Sequence, residues 1–336
     1  MGRGILAERE WVMKCAVGRE DELRYCISCM NCFNVNPFSY EQTNCSVNPF
    51  ALREGSKRPI VQDGDGRLVA VIGAGPAGME AAVTLKQRGF DVVVFDKRDE
   101  IGGNLHVAKK PPFKGKFEWA IDYYKSMAKK LNITMKLGKE VTAQEVLALK
   151  PYSILVATGS NVISIPLEGL DQVQTVQAHD VLANDMQFAN KKVVVIGGGI
   201  TGLETALYIN RQGTNQVSVV DMLPEWPVDM LDMRYQNEAL LEVRHCNDQG
   251  VALFYNNKVV KFADGKLFIE STKDGEVKEL PADVIVLSVG VKPNDALWQE
   301  LLASGHPSVW KAGDAIATGK INKAVLHGSK FGYSLN

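Results

Sequence analysis

Two copies of one glycine fingerprint constrain this chain more than any other feature. Gly73-Ala-Gly75-Pro-Ala-Gly78 follows the apolar run Leu68-Val69-Ala70-Val71-Ile72, and Gly197-Gly-Gly199-Ile-Thr-Gly202 follows Lys192-Val193-Val194-Val195-Ile196. Short unbroken apolar runs suit strands buried on both faces, as in a parallel sheet covered by helices. Each fingerprint leads into an apolar-striped helix, with Ala81, Ala82 and Leu85 in the first and Leu203, Ala206, Leu207 and Ile209 in the second. A second strand then ends in an acid: Phe90 to Phe95 before Asp96, and Gln216 to Val220 before Asp221. G-x-G-x-x-G alone is weak evidence; strand, turn, helix, strand and terminal acid together specify a dinucleotide-binding β-α-β unit. Gly73 and Gly197 permit the turn, Gly75 and Gly199 let backbone approach a pyrophosphate, and Gly78 and Gly202 let helix and strand pack closely. The helix N-terminus offers unpaired N–H groups and a positive dipole end to the phosphates. Asp96 and Asp221 are placed to accept from ribose hydroxyls. Asp221 favours NADH over NADPH, because a carboxylate repels a 2′-phosphate and Met222-Leu223-Pro224-Glu225 adds no Arg or Lys.

Ahead of these units, Cys26, Cys29 and Cys32 are spaced by three residues, and Cys45 follows. A thiolate cage for one iron–sulfur cluster needs three sulfurs from a tight loop and a fourth from a returning segment. A zinc knot is the alternative, although zinc sites usually come as two separated C-x2-C pairs. Cys15 and Cys246 carry no pattern and read as bystanders, and the five histidines show no metal spacing. With 336 residues, 46% of them hydrophobic, the chain is ample for two domains, and a net charge of −1 gives no field for nucleic acid or a membrane surface. No apolar run reaches the roughly 18 residues of a spanning helix. No signal-peptide core precedes the cysteines, so a reducing cytoplasm is the expected location.

Residues 1–25 read as helical and charged. Residues 33–66 read as loop, with turn signals at Asn36-Pro37, Asn48-Pro49, Lys57-Arg58-Pro59 and Asp63-Gly64-Asp65-Gly66, and too few apolar residues for a core of their own. Between the fingerprints the pattern predicts a helix from Phe117 to Leu131, a strand from Ile133 to Leu137, a helix from Ala143 to Leu149 and a buried strand ending at Ala157-Thr158-Gly159. Beyond the second fingerprint, Val251 to Phe254, Lys258 to Phe262 and Lys266 to Ser271 read as alternating antiparallel strands. Buried strands at Asp283 to Gly290 and Val309 to Ala315, then a final helix carrying Ala324, Val325, Gly328 and Phe331, complete the pattern.

Gly73-x-Gly75-x-x-Gly78, Asp96, Ile101-Gly102-Gly103-Asn104, Ala157-Thr158-Gly159, the second fingerprint and Ala312-Gly313-Asp314 occur in the order seen in two-dinucleotide-domain flavoprotein reductases. With the cysteine run, the chain closely resembles the C-terminal half of the 2,4-dienoyl-CoA reductase, enoate reductase and trimethylamine dehydrogenase group, the iron–sulfur members of the old yellow enzyme family. Gly2-Arg3, Leu6-Ala7-Glu8, Gly18-Arg19 and Arg24-Tyr25-Cys26-Ile27-Ser28-Cys29 match that group's lead into its cluster. Two departures stand out: only two residues separate Cys29 from Cys32, and Asp96 stands where Glu is common.

The resemblance implies an α/β fold of two Rossmann-like dinucleotide-binding domains. An NAD(P)H-binding domain (164–290) is inserted in an FAD-binding domain (67–163 and 291–336), behind a barrel-end remnant and [4Fe-4S] cluster lobe (1–66). It implies FAD at Gly73, Gly75, Gly78, Asp96, Gly103, Asn104, Thr158, Gly159 and Asp314, with Asp314 at the ribitol. It implies NADH, with NADPH second, at Gly197, Gly199, Gly202 and Asp221, and the cluster on Cys26, Cys29, Cys32 and Cys45. Glu204 either lies near the nicotinamide or caps its helix. Electrons would pass from NADH to FAD to cluster to an FMN on a (β/α)8 barrel, either a partner subunit or a missing N-terminal half, which reduces an enoyl-type C=C substrate. The chain would begin inside the last barrel segment, work as part of an oligomer, and need no acid–base residue of its own. Two other readings stay open. One is a reductase subunit of the glutamate-synthase small-chain type, which usually carries more cysteines ahead of its first fingerprint. The other is a non-catalytic ADP-binding scaffold, against which the intact Ile101-Gly102-Gly103 and Ala312-Gly313-Asp314 argue.

Overall fold

In the computed structural model, which describes residues 2–33, 44–56, 59–224 and 236–336, both fingerprints sit at the carboxyl ends of central strands of parallel sheets. The first sheet runs Val309–Lys311, Ser153–Val156, Leu68–Ile72, Asp91–Phe95, Thr134–Lys136, every neighbour pair parallel. Its Val- and Ile-rich strands are covered on both faces, which is why they read as continuous apolar runs. Val69, Val71 and Val94 share one core with Met79, Leu85, Tyr124 and Phe331 from helices Pro76–Gln87, Glu118–Lys130 and Ile321–Ser334. Ala70, Ile72 and Val93 meet Val146 and Leu301 from helices Ala143–Ala148 and Ala296–Ala303 on the other face. Helices Pro76–Gln87 and Ile321–Ser334 cross closely, because a side chain at Gly328 would run into the Ala77 carbonyl.

The second sheet repeats the plan: Gln174–Gln177, Val284–Leu287, Lys192–Ile196, Gln216–Val220, Ala252–Phe254, all parallel. Helices Ala178–Ala183, Ile200–Asn210 and Gln236–Asp248 cover one face. A three-stranded antiparallel sheet, Asn257–Ala263, Lys266–Ser271 and Val277–Pro281, covers the other through Phe262, Leu267 and Ile269. Here the structure corrects the sequence. Ala252–Phe254 is a parallel edge strand, not a member of the antiparallel set. The third antiparallel strand is Val277–Pro281, whose side chains are mostly exposed and so carry no alternation to read.

The chain leaves the first sheet after Ser153–Val156, builds the second, and returns to add Val309–Lys311. The two crossings lie side by side as an antiparallel ribbon, Ser160–Val162 against Val291–Pro293. Among the described residues, the N-terminal lobe has no core to itself. Ala7, Ile27 and Val47 are buried together with Leu105, Phe117, Ala120 and Ile121 of the first dinucleotide unit. The segment expected to be helical over 1–25 is broken into Gly2–Ala7, Trp11–Ala16 and the 3-10 turn Glu20–Glu22. Glu8 interrupts it by accepting from the Glu10 N–H and from Lys14, and Gly18 turns at φ +70°. The turn signals at Asn36-Pro37 and Lys57-Arg58 lie outside the described residues. No helix among the described residues is long and apolar enough to cross a membrane.

Candidate functional site

The two glycine turns are built alike. Gly73 and Gly197 have φ of +114° and +109°, and a side chain on either would strike the carbonyl of Ala157 or Ser288 on the neighbouring strand. A side chain on Gly78 or Gly202 would strike the carbonyl of Gly73 or Gly197. The first and third glycines are therefore required by the polypeptide itself. The middle ones are not. Gly75 and Gly199 have ordinary negative φ; a Cβ on Gly75 would meet only Gly103 Cα at 3.8 Å, and on Gly199 nothing within 4 Å. What a side chain would fill at these two positions is open space at a helix N-terminus, the fit a pyrophosphate needs.

Each terminal acid braces its turn. Asp96 Oδ2 accepts from the Ala74 N–H at 2.6 Å and Oδ1 from the Arg98 N–H at 2.9 Å. Asp221 Oδ2 accepts from the Gly198 N–H at 2.6 Å and Oδ1 from the Leu223 N–H at 2.8 Å. A carboxylate has about four lone-pair sites, so each keeps capacity for ribose hydroxyls. Glu225, read with Asp221 in the sequence, lies outside the described residues.

Gly103 and Asn104 fold back over the first turn. The Gly102 N–H donates to the Ala74 carbonyl at 2.9 Å, Arg98 Nη1 donates to the Gly103 carbonyl at 2.9 Å, and Asn104 Oδ1 lies 3.4 Å from His179 of the second unit. Thr158 and Gly159 mark the crossing point: Thr158 Oγ1 donates to the Asn294 carbonyl at 2.6 Å, and the Asn294 N–H donates to the Gly159 carbonyl at 3.0 Å. Asp314 lies just past Gly313, which is tight against Ala77 at the start of the first fingerprint helix. Its carboxyl accepts from the Gly319 N–H at 3.0 Å and faces Ser160 Oγ at 3.4 Å, and burial pushes its pKa up.

Glu204 is 7% exposed and paired with Lys114, which reaches across from the first unit and also donates to Glu238 at 3.2 Å; Glu238 in turn holds Lys320. Glu242 faces the same group, so three carboxylates share two ammonium groups. Burial pushes Glu204 up to about 7 against the pull of Lys114, with Glu242 and Glu238 adding to the rise. Glu204 does not cap its helix, whose N-cap is Gly199; its carboxylate pairs with Lys114 at the seam between the units. Sequence reasoning missed Lys114. The basic run Lys109-Lys110 to Lys114-Gly115-Lys116 was the available signal, and Lys110 pairs across the same seam with Asp185.

The four sequence-selected cysteines come together. Cys26, Cys29, Cys32 and Cys45 line one cavity with Arg3, Leu6, Met30 and Val47. Ser28 and Met30 take left-handed φ of +56° and +58°, which coils the first three cysteines inward. Burial pushes the Cys45 thiol up to about 11, and burial with the neighbouring Cys29 and Cys26 raises Cys32. No group of three or more His, Cys, Asp or Glu among the described residues is arranged to hold a single metal ion. The four thiols on this cavity form an all-sulfur donor set, which an iron–sulfur cluster or a four-cysteine zinc site takes. Cys246 is fully buried and Cys15 is not among the cavity residues.

A family model described as pyridine nucleotide-disulphide oxidoreductase matches residues 67–326. The chain is 33% identical to the NADH oxidase of Thermoanaerobacter brockii over 100% of its own length and 51% of that protein's. It is 32% identical to the bilirubin reductase of Mediterraneibacter gnavus over 88% of its own length and 44% of that protein's. Among solved structures, a 2-naphthoyl-CoA reductase complex matches at a TM-score of 0.88 and 28% identity, covering 99% of this chain and 50% of the other. The chain thus spans about half the length of the relatives it matches.

Proposed function

The chain belongs to the pyridine nucleotide-disulphide oxidoreductase family, and we infer from this that it is an NAD(P)H-dependent flavin oxidoreductase corresponding to one half of its longer relatives. From that premise we propose that it is an electron-delivery module, taking electrons from NADH through FAD to a [4Fe-4S] cluster and on to an FMN barrel that reduces an enoyl-type double bond. Bound FAD supplies the exchange between two-electron and one-electron chemistry that nicotinamide and cluster each lack.

The residues then have these tasks. Gly73, Gly75, Gly78 and the N-terminus of helix Pro76–Gln87 cradle the FAD pyrophosphate, Asp96 takes the adenosine ribose, and Gly103 and Asn104 close over it. Asp314, with Thr158 and Gly159 at the crossing, faces the ribityl end. Gly197, Gly199 and Gly202 cradle the NADH pyrophosphate, and Asp221 selects a free 2′-hydroxyl. Glu204 binds at the nicotinamide side of that helix, held in place by Lys114. Cys26, Cys29, Cys32 and Cys45 hold the cluster, and metal binding displaces thiol protons that burial otherwise retains.

The observation that carries this reading is the convergence of four cysteines on one cavity in a lobe that shares its core with the flavin unit. The half-length coverage of its relatives supports a barrel as partner or as a further part of the same protein. Met30 and Phe33, exposed beside the cysteines, offer that partner an apolar landing. The test is a visible and electron paramagnetic resonance spectrum of the purified protein, with NADH–dye assays of the wild type and Cys29→Ser. Flavin peaks bleached by NADH and a four-iron signal are expected, with dye turnover kept and transfer to the FMN partner abolished in Cys29→Ser. Partner reduction that survives the substitution rejects the path.

A further inference from the structure

Arg24 lies two residues before Cys26, and Val47 two residues after Cys45. Arg24 Nη1 donates to the Val47 carbonyl at 2.6 Å and to Glu80 Oε2 at 2.8 Å, while Nη2 donates to Glu80 Oε1 at 3.0 Å. One guanidinium thus ties the chain on both sides of the cysteine run to the helix that opens at the Gly75 turn. The pair is enclosed: the side chains are 16% and 3% exposed, Tyr124 Oη donates to Glu80 Oε2 at 3.1 Å, and the Tyr123 ring centroid lies 4.4 Å from the guanidinium carbon. A planar fork on a carboxylate sets distance and angle together, which an ammonium does not. A buried ion pair is seldom more stabilising than an apolar pair of like volume, so stability alone does not call for one here; a fixed geometry does.

We propose that Arg24 is a positioning residue that sets the separation between the cysteine cage and the flavin turn, and through it the rate of the one-electron step between them. The inference rests on the function proposed above. Its physical basis is that electron tunnelling falls exponentially with separation, so a small loosening of the lobe costs rate without touching either cofactor's ligands. Leu105, Phe117 and Ile121 would still bind the lobe by apolar contact, but apolar packing is non-directional and fixes spacing less sharply.

The experiment uses the cofactor-loaded full chain carrying Arg24→Leu with Glu80→Leu, which removes both charges together. Flavin and iron contents equal to wild type and NADH–dye turnover within about twofold are expected. NADH-driven reduction of the cluster, followed by rapid-freeze electron paramagnetic resonance, should slow by about tenfold or more. Arg24→Lys, which restores charge without the fork, should recover only part of that rate, and it decides the matter alone if the double variant does not fold. Cluster reduction at the wild-type rate in these variants overturns the inference while leaving the proposed function standing. Loss of iron with flavin retained also overturns it, because Arg24 would then build the cage and not place it. A wild-type protein without a cluster, or with flavin that NADH does not reduce, overturns the proposed function and this inference together.

Discussion

The two dinucleotide turns share one construction and differ in what covers them. Over the first, the Gly102 N–H is bonded to Ala74, and a Cβ on Gly103 would come within 2.8 Å of Gly75 Cα. Over the second, no described atom lies within 4 Å of where a Gly199 side chain would begin. Position by position, Ala74 and its counterpart Gly198 are both buried, and what packs on Gly198 is the Tyr255 ring, 2.9 Å from where a Cβ would sit. A turn closed by its own polypeptide suits a cofactor that stays. An open one suits a cofactor that must leave every cycle, since a lid that has to move limits turnover. On the proposed function, the same fingerprint would serve retention in one place and exchange in the other, and the difference comes from neighbours distant in sequence.

The strongest way to break this comparison is to add one methyl group to each third glycine. Gly78→Ala drives a Cβ into the Gly73 carbonyl and Gly202→Ala drives one into the Gly197 carbonyl, overpacking that costs about 1–3 kcal/mol or more. Gly78→Ala should purify without flavin and be inactive. Gly202→Ala should keep its flavin absorbance and lose about tenfold or more in kcat/KM for NADH. Equal flavin loss in both would show that the units are not separable in this way.

The seam between the units comes next. Lys114→Met takes the shared donor from Glu204 and Glu238; Glu204 can then be held as the neutral acid, so the cost is that of buried groups left without a partner, about 1–3 kcal/mol. Calorimetry should show a lowered unfolding transition with flavin still bound below it; an unchanged transition would mean the pair is not what joins the units. The same cluster predicts a pH dependence. Folding raises the Glu204 pKa to about 7 from roughly 4.3 in an unfolded chain. Between those values the folded protein holds a proton that the unfolded chain has lost. Stability from this group therefore falls as pH rises through that window and levels off above it, by about 4 kcal/mol at most. Thermal melts of wild type and Glu204→Gln across pH 4 to 8 should show stability falling more steeply with pH in wild type than in the variant, and a difference of opposite sign would contradict it. The smallest effect sharpens the open turn. Asp221→Ala removes the acceptor for the Gly198 and Leu223 N–H groups, and should raise KM for NADH about tenfold and narrow its preference over NADPH, with flavin content unchanged.

Both glycine units, their strands and their terminal acids were legible because those features are local: a buried strand must be apolar throughout, and a turn against a phosphate must be glycine. The cysteine set was legible as ligand type and spacing, although the thirteen-residue step from Cys32 to Cys45 could span about 40 Å if extended, and it is the fold that brings Cys45 to the same cavity. Val277–Pro281 was not, because an exposed edge strand leaves no alternation, and Ala252–Phe254 was assigned the wrong pairing because three residues do not encode the direction of a neighbour. Lys114 and Arg24 were overlooked as partners because each meets its carboxylate across the fold, and sequence spacing carries no information about such an encounter.

By itself, then, the sequence determined that this chain holds two dinucleotide-binding β-α-β units behind a clustered set of cysteines. Periodicity, glycine spacing and ligand type are properties of short stretches. The tertiary structure decided what those stretches do to one another. It buried Glu204 against Lys114 and beside two further acids, folded Gly102 and Gly103 over one turn with no such segment among the described residues over the other, and set Arg24 between the cysteine run and the first fingerprint helix. Each of these depends on residues brought together by sheet order and burial, where a charge must find its partner or lose its ionised form.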